Sequence, residues 1–157
     1  HGKEIYKNPK WPSAPLFYLS APSLTDPSVA PDGCENLFFL IPIAPNLADD
    51  EETREYYFNI LLERLKKLTG NDIKDNIVYK RSFSISNFKE DYHAFKGNAY
   101  GLANTLKQTA IFKPQIKNKN LRNFYYTGQL TVPGPGVPPS IISGEVVATY
   151  INQHAKK

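Results

Sequence analysis

Apolar residues recur every three to four positions over residues 49–68, the clearest helical signal in the sequence. Tyr57, Leu61, Leu65 and Leu68 make the stripe, joined by Phe58 and Leu62, and this spacing predicts core packing rather than a cofactor site. Asp49 or Asp50 can cap the start, with Glu51 and Glu52 in the first turn and Lys66 and Lys67 in the last, matching the helix dipole at both ends. Gly70 ends it. The opposite face, with Glu55, Glu63, Arg64 and Lys67, is solvated.

Elsewhere the pattern is shorter and closer to alternation. Residues 15–20 (PLFYLS) predict a strand with Phe17 and Leu19 on one face and Leu16 and Tyr18 on the other. A turn-rich loop punctuated by Pro22, Asp26-Pro27 and Pro31-Asp32-Gly33 leads into residues 35–43 (ENLFFLIPI). That run predicts an antiparallel partner buried on both faces, with Pro42 at an edge or bulge. In the loop, Asp26 either caps backbone or contacts a ligand. Residues 76–83 (NIVYKRSF) predict a third strand, and residues 108–114 (QTAIFKP) a later one. Between them Asn87-x-x-Glu90 resembles a capping box for a short helix through Ala94, with Phe88, Tyr92 and Phe95 on its apolar side. His93 beside it reads as a surface or half-buried residue. Residues 2–14 read as irregular, and 116–122 (IKNKNLR) as a polar surface link.

The C-terminal stretch is different in kind. Residues 124–127 are aromatic and β-prone and predict a buried strand. GQLTVPGPGVPP follows, with three Gly and four Pro in twelve residues, and must turn tightly. From Ser140, Ile141, Val147 and Ile151, with Ile142 and Tyr150 beside them, recur at helical spacing, and Pro138 and Pro139 suit the first turn. A strand, a Gly/Pro loop and a helix N-terminus together can gather backbone N–H groups around an anion such as phosphate. They can equally be a connection whose glycines only allow the bend. The fold class this predicts is α+β: a small mixed or antiparallel sheet with a packed amphipathic helix, followed by a C-terminal strand–loop–helix.

Composition narrows the function classes. The chain has 157 residues, 41% hydrophobic and 22% charged, ordinary for a globular domain. No apolar run approaches the roughly eighteen residues of a membrane span; the longest, 37–44, is interrupted by Pro42. Cys34 is alone, which excludes an internal disulfide and a cysteine metal site. The net charge of +4 favours anionic ligands or lipid over repelling them. Ten Tyr and nine Phe with a basic excess also fit a single-strand nucleic-acid binder, but the Lys residues do not interleave with aromatics on one strand face. No nucleic acid is expected. No Ser–His–Asp spacing, His-rich metal cluster or paired carboxylates on one helical face occurs, so no catalytic residue and no metal ligand is named.

YYTGQLTVPGPGVPPSIISGEVVA resembles the C-terminal flavin-binding signature of the bacterial-type phytoene desaturases, FAD-dependent carotenoid dehydrogenases of the amine-oxidase-like flavoproteins. LTDPSVAPDGCENLFFLIPIAPN (24–46), FKGNAYGLANTLKQTAIFKP (95–114) and the helix between them agree in family order. The resemblance implies that residues 12–115 are part of a substrate-binding lobe and that 121–154 return to an FAD lobe. It further implies that Gly128, Gln129, Pro133, Gly134, Gly136, Val137, Pro138 and Ser140 approach FAD, and that Tyr100, Leu102 and Phe112 line an apolar substrate tunnel. For these three, as for Ile111, ordinary core is the other reading. Gly128 would lie near the ribityl–pyrophosphate part, the helix N-terminus near the flavin N1/C2 edge, and Gly144 would allow close packing. The family's strand followed by G-x-G-x-x-G is absent; Gly134-Pro135-Gly136 lies at the wrong end for it. With no Met, the chain reads as a C-terminal piece, and His1-Gly2 as a vector-derived leftover.

The activity so implied is desaturation of a long polyene, phytoene or a related precursor, by a cytoplasmic enzyme docked on a membrane surface. The piece alone is expected to be inactive and to hold no FAD, and to self-associate if the orphan strand 124–127 pairs between chains. A carotenoid isomerase or oxygenase of the same family is an alternative, as is a non-catalytic binding module. Gln129, where many relatives have a small or acidic residue, and Val132, where desaturases often have His, depart from the pattern and leave reaction and substrate open.

Overall fold

The computed structural model describes residues 1–103 and 105–154. The chain divides into two units, His1–Gly97 and Asn98–Lys157. The fold is α+β, as expected, and its strands form one small antiparallel sheet among the described residues.

The first unit begins with a short helix, α1 (Gly2–Tyr6), where irregular chain was expected. His1 is half-buried: Leu16 N–H donates to its Nδ1 at 2.7 Å, leaving Nε2 to donate to Pro42 O at 2.6 Å. Strand β1 (Tyr18–Ser20) pairs with β2 (Phe38–Leu40) with Leu19 opposite Phe39, the antiparallel pair expected from the sequence, though shorter. Leu16 and Tyr18 are exposed, and Phe17 packs against Phe39 at 6.1 Å. The expectation that β2 is buried on both faces fails: Phe38 and Leu40 face solvent, because a two-stranded sheet covers one face at most. In the loop between the strands, Asp26 Oδ1 accepts Ser28 N–H at 2.9 Å and Oγ–H at 2.6 Å, so it is a loop cap. Those bonds hold its carboxyl below the usual range.

The unit is built on α2 (Glu51–Thr69). Asp50 is the N-cap, accepting Thr53 N–H at 2.7 Å, and Gly70 ends the helix in the left-handed conformation. Tyr57, Leu61, Leu62 and Leu65 are buried, whereas Leu68, assigned to the stripe, is 77% exposed because it lies in the last turn, beyond the cover. That cover includes the segment before β1. Trp11 stacks on Tyr57 at 4.7 Å and donates to Ala48 O, Tyr57 OH donates to buried Pro12 O, and Arg64 lies over Phe17. Asp49 and Arg54 make a two-pronged pair at 2.8 and 2.7 Å, and Asp49 also accepts Ser86 N–H at 2.7 Å. Burial pushes the Asp49 carboxyl up, but the bonds from Arg54 and Ser86 outweigh it and hold it at about 2.

Residues 76–83 do not form the predicted strand. Val78 and Tyr79 are 85% and 77% exposed, and the segment is tied to α2 by side chains instead. Lys80 pairs with Glu55 and sits over Phe58, and Arg54 donates to Ser82 Oγ. Alternation cannot make a strand without an edge to pair with. Helix α3 (Ile85–Tyr92) follows, with Ser84 rather than Asn87 as N-cap; Asn87 is the third helical residue and accepts Ser84 N–H at 3.0 Å. Gly97 closes the unit against Ile85: a Cβ there would lie 2.5 Å from Ile85 O, and its φ is +66°.

In the second unit the predicted strand 108–114 is replaced by two turns of 3₁₀ helix, Leu106–Gln108 and Ala110–Phe112. Ile111 is 89% exposed and local bonds such as Phe112 N–H to Thr109 O take the place of a ladder. Residues 124–127 are not a buried strand either. Tyr125 makes a single antiparallel bridge to Lys117, Tyr126 N–H donates to Ile116 O at 2.7 Å, and Phe124 and Tyr126 are exposed. The link at 116–122 thus folds back as its partner. Helix α4 (Val137–His154) begins where expected, with Pro138 and Pro139 in its first turn.

Candidate functional site

The interior of the second unit is mostly polar. Lys113, Thr131, Gly134, Ser143 and Val147 are its buried residues among those described. Ser143, on the first turns of α4, is fully buried and holds the start of the Gly/Pro loop. Its Oγ accepts Gly128 N–H at 2.9 Å and lies 3.1 Å from Thr127 Oγ1 and 2.8 Å from Thr131 Oγ1. Thr131 Oγ1 directs its proton to Gly128 O at 2.9 Å, so the Ser143 hydroxyl can donate to Thr131 while accepting from Gly128. The loop then passes a cis Val132–Pro133 bond and reaches Gly134 and Gly136, at φ +144° and +117°. A side chain at either position would be strained, and at Gly136 a Cβ would also press on Pro139 at 3.3 Å.

The loop and the start of α4 border an open cleft of about 480 Å³, lined by Tyr100, Gln129, Gly136, Val137, Ser140 and Ile141. Four residues expected at a flavin and one expected at a polyene therefore share one surface. Ile141, which the spacing assigned only to the helix, joins them and is 69% exposed. Other expected site residues lie apart from the cleft lining. Pro133 and Pro138 are exposed, Phe112 is 64% exposed, and Leu102 is half-buried. Gly128 is half-buried with its N–H committed to Ser143.

The helix start has less hydrogen-bonding capacity than a generic N-terminus. Pro138 and Pro139 have no N–H, and Ser140 donates both N–H (3.0 Å) and Oγ–H (2.8 Å) to Gly136 O. The first turn thus offers at most the Val137 N–H. A second positive group lies close by. Lys113 is 7% exposed, its Nζ has no hydrogen-bond partner among the described residues, and it lies 3.5 Å from where a Cβ on Gly134 would project. The charge around it is lopsided: residues 98–157 carry seven basic residues and one acid, Glu145, against twelve and fourteen in 1–97. Among the described residues no group of His, Cys, Asp or Glu could hold a metal ion.

By sequence the chain belongs with the carotenoid desaturases. It is 47% identical to the carotenoid 3,4-desaturase of Haloarcula japonica over 148 residues, 94% of this chain and 30% of that protein. It is 35% identical to the lycopene-forming phytoene desaturase of a Paracoccus species (92% of this chain, 30% of that one) and 30% identical to the all-trans-zeta-carotene desaturase of Myxococcus xanthus (91% and 27%). The chain therefore spans about three tenths of the length of these relatives. No family model and no solved structure matches it.

Proposed function

We propose that this chain supplies the flavin-facing loop and part of the substrate wall of an FAD-dependent desaturase acting on a long polyene such as phytoene or a related carotenoid. The observation that carries the reading is the cleft itself, which brings Gln129, Gly136, Val137 and Ser140 of the loop and helix start beside Tyr100. The residues present fit a flat, electron-rich group. Gly136 brings bare backbone to the cleft lining, and the buried Lys113 ammonium beside Gly134 lacks a partner among the described residues.

Bound FAD would supply the hydride acceptor, and the protein's part is position, exclusion of water and electrostatics. Gly136 allows the backbone to approach a ring edge, and Ser140 locks its carbonyl so that the loop enters the helix in one conformation. Val137 and Ile141, with the Tyr100 ring, make an apolar wall that a polyene can cover and from which it can displace water. The positive end of α4 favours negative charge arriving in the cleft. A polyene of this kind partitions into lipid, so the enzyme would work at a membrane surface. No helix among the described residues is long and apolar enough to cross a membrane.

The test uses this chain extended upstream to include a strand with G-x-G-x-x-G. Its visible spectrum is recorded as purified and after anaerobic addition of phytoene in liposomes. Flavin bands that bleach while conjugated-polyene bands rise are the expected result. Bound flavin with no reaction on any carotenoid precursor would overturn the substrate class, and absence of flavin would overturn the reading altogether.

A further inference from the structure

We propose that Lys113 is the counter-cation of the Gly/Pro-loop site, its buried ammonium complementing a helix start whose prolines leave it few N–H donors. The proposal rests on the flavin reading above and names a residue in it that neither the motif nor the spacing picked out.

Three observations converge on it. First, Lys113 is enclosed, yet its Nζ has no hydrogen-bond partner and no acid within ion-pairing distance among the described residues. A buried ammonium without a partner is strongly unfavourable, and a bound anion would relieve that cost. Second, Nζ lies directly against Gly134, on the side where any other residue would carry its Cβ. Nζ thus lies against the loop two residues before Gly136, which lines the cleft. An unscreened charge acts over such a distance in a low-dielectric interior without direct contact. Third, the surroundings reinforce it: the helix start is the positive end of the α4 dipole, and Glu145 is the one acid in residues 98–157. Two positive sources beside one loop repel each other until an anion joins them.

The anion belongs to the flavin dinucleotide in one of two places, its pyrophosphate or the ring that becomes negative on two-electron reduction. Both are read by the same ammonium, and they differ in when the charge is needed. A pyrophosphate contact matters for oxidised FAD, whereas a ring contact matters only after reduction.

The experiment compares wild type, Lys113→Met, Lys113→Gln and Lys113→Arg in the full-length flavin-loaded protein. Oxidised-FAD affinity, the two-electron midpoint potential and the affinity for sulfite as a flavin adduct are measured, together with the thermal midpoint of each apoprotein. The Met and Gln variants are expected to melt at or above the wild-type temperature as apoproteins, because an unpartnered charge has gone, and to gain less from added FAD. A loss of about tenfold or more in oxidised-FAD affinity assigns the pyrophosphate. Unchanged affinity with the reduced form disfavoured about tenfold, about 30 mV for a two-electron couple, and weaker sulfite binding assigns the ring. Lys113→Arg keeps the wild-type values in either case. Wild-type FAD affinity, potential and sulfite binding in both neutral variants would overturn the proposal while leaving the flavin reading intact. A wild-type protein without flavin would overturn that reading instead.

Discussion

The unit His1–Gly97 and the unit Asn98–Lys157 solve the problem of an interior in opposite ways. The first buries Tyr57, Leu61, Leu62, Leu65 and Ile85 around one long helix, and its buried charge, Asp49, is fully answered by Arg54 and Ser86. The second buries hydroxyls, a glycine and an unanswered ammonium, while Val137, Ile141 and Ile142 of its helix stay exposed. Apolar burial stabilises by roughly 25 cal/mol per Å² without regard to direction. Hydroxyl networks contribute less but fix geometry, since each bond has an angle and a length to satisfy. The first interior is organised for stability and the second for holding a loop in one shape beside a cleft.

The contrast predicts different responses to substitution. The largest effect is expected from Leu61→Ala, which should destabilise the first unit by about 3 kcal/mol through transfer and cavity terms. Urea unfolding followed by Trp11 fluorescence reads it, because Trp11 stacks on Tyr57 of the same core. A loss below about 1 kcal/mol would mean that the α2 core is not what holds this unit. Gly97→Ala should cost nearly as much, about 2–3 kcal/mol, since the added Cβ meets Ile85 backbone and the residue needs a left-handed φ; the same fluorescence titration checks it.

In the second unit, Ser143→Ala should cost about 2 kcal/mol, by stripping Gly128 N–H of its acceptor and Thr131 of its donor. Amide exchange at Gly128 should accelerate accordingly. Unchanged protection there would show that the hydroxyls only fill space.

Acid separates the units as well. The Asp49 carboxyl is held at about 2 against an ordinary 3.8, so its contribution is complete above the ordinary value and is lost as pH falls through about 2. The loss should be about 2 kcal/mol between pH 5 and pH 2 by the same fluorescence readout. Asp49→Asn should flatten that part of the pH profile. The smallest effect is expected from Asp50→Ala, about 1 kcal/mol for the lost α2 cap, read from the urea midpoint.

Much of the first unit was legible along the chain. The α2 stripe, its acidic start and Gly70 stop are local signals, and the antiparallel pairing of 18–20 with 38–40 follows from an alternating run and an apolar run joined by turns. The strand expected at 76–83 shows the limit. Its alternation is real, but Lys80, Ser82 and Arg54 make side-chain bonds to or from α2, and the segment pairs with no strand among the described residues. Periodicity describes which faces a segment can show, not whether a partner exists to hydrogen-bond with it.

For the site, the Gly/Pro run announced a tight loop and the two prolines announced the helix start, because backbone restriction belongs to the residues themselves. The same prolines remove two N–H donors, a consequence already implicit in the sequence. What only tertiary structure decided is which distant groups meet that loop. Tyr100 is brought to the cleft, Ser143 is turned inward to clamp Gly128 and Thr131, and Lys113 is buried against Gly134. Burial of a polar group depends on what folds over it, and that cover comes from residues the local pattern does not name.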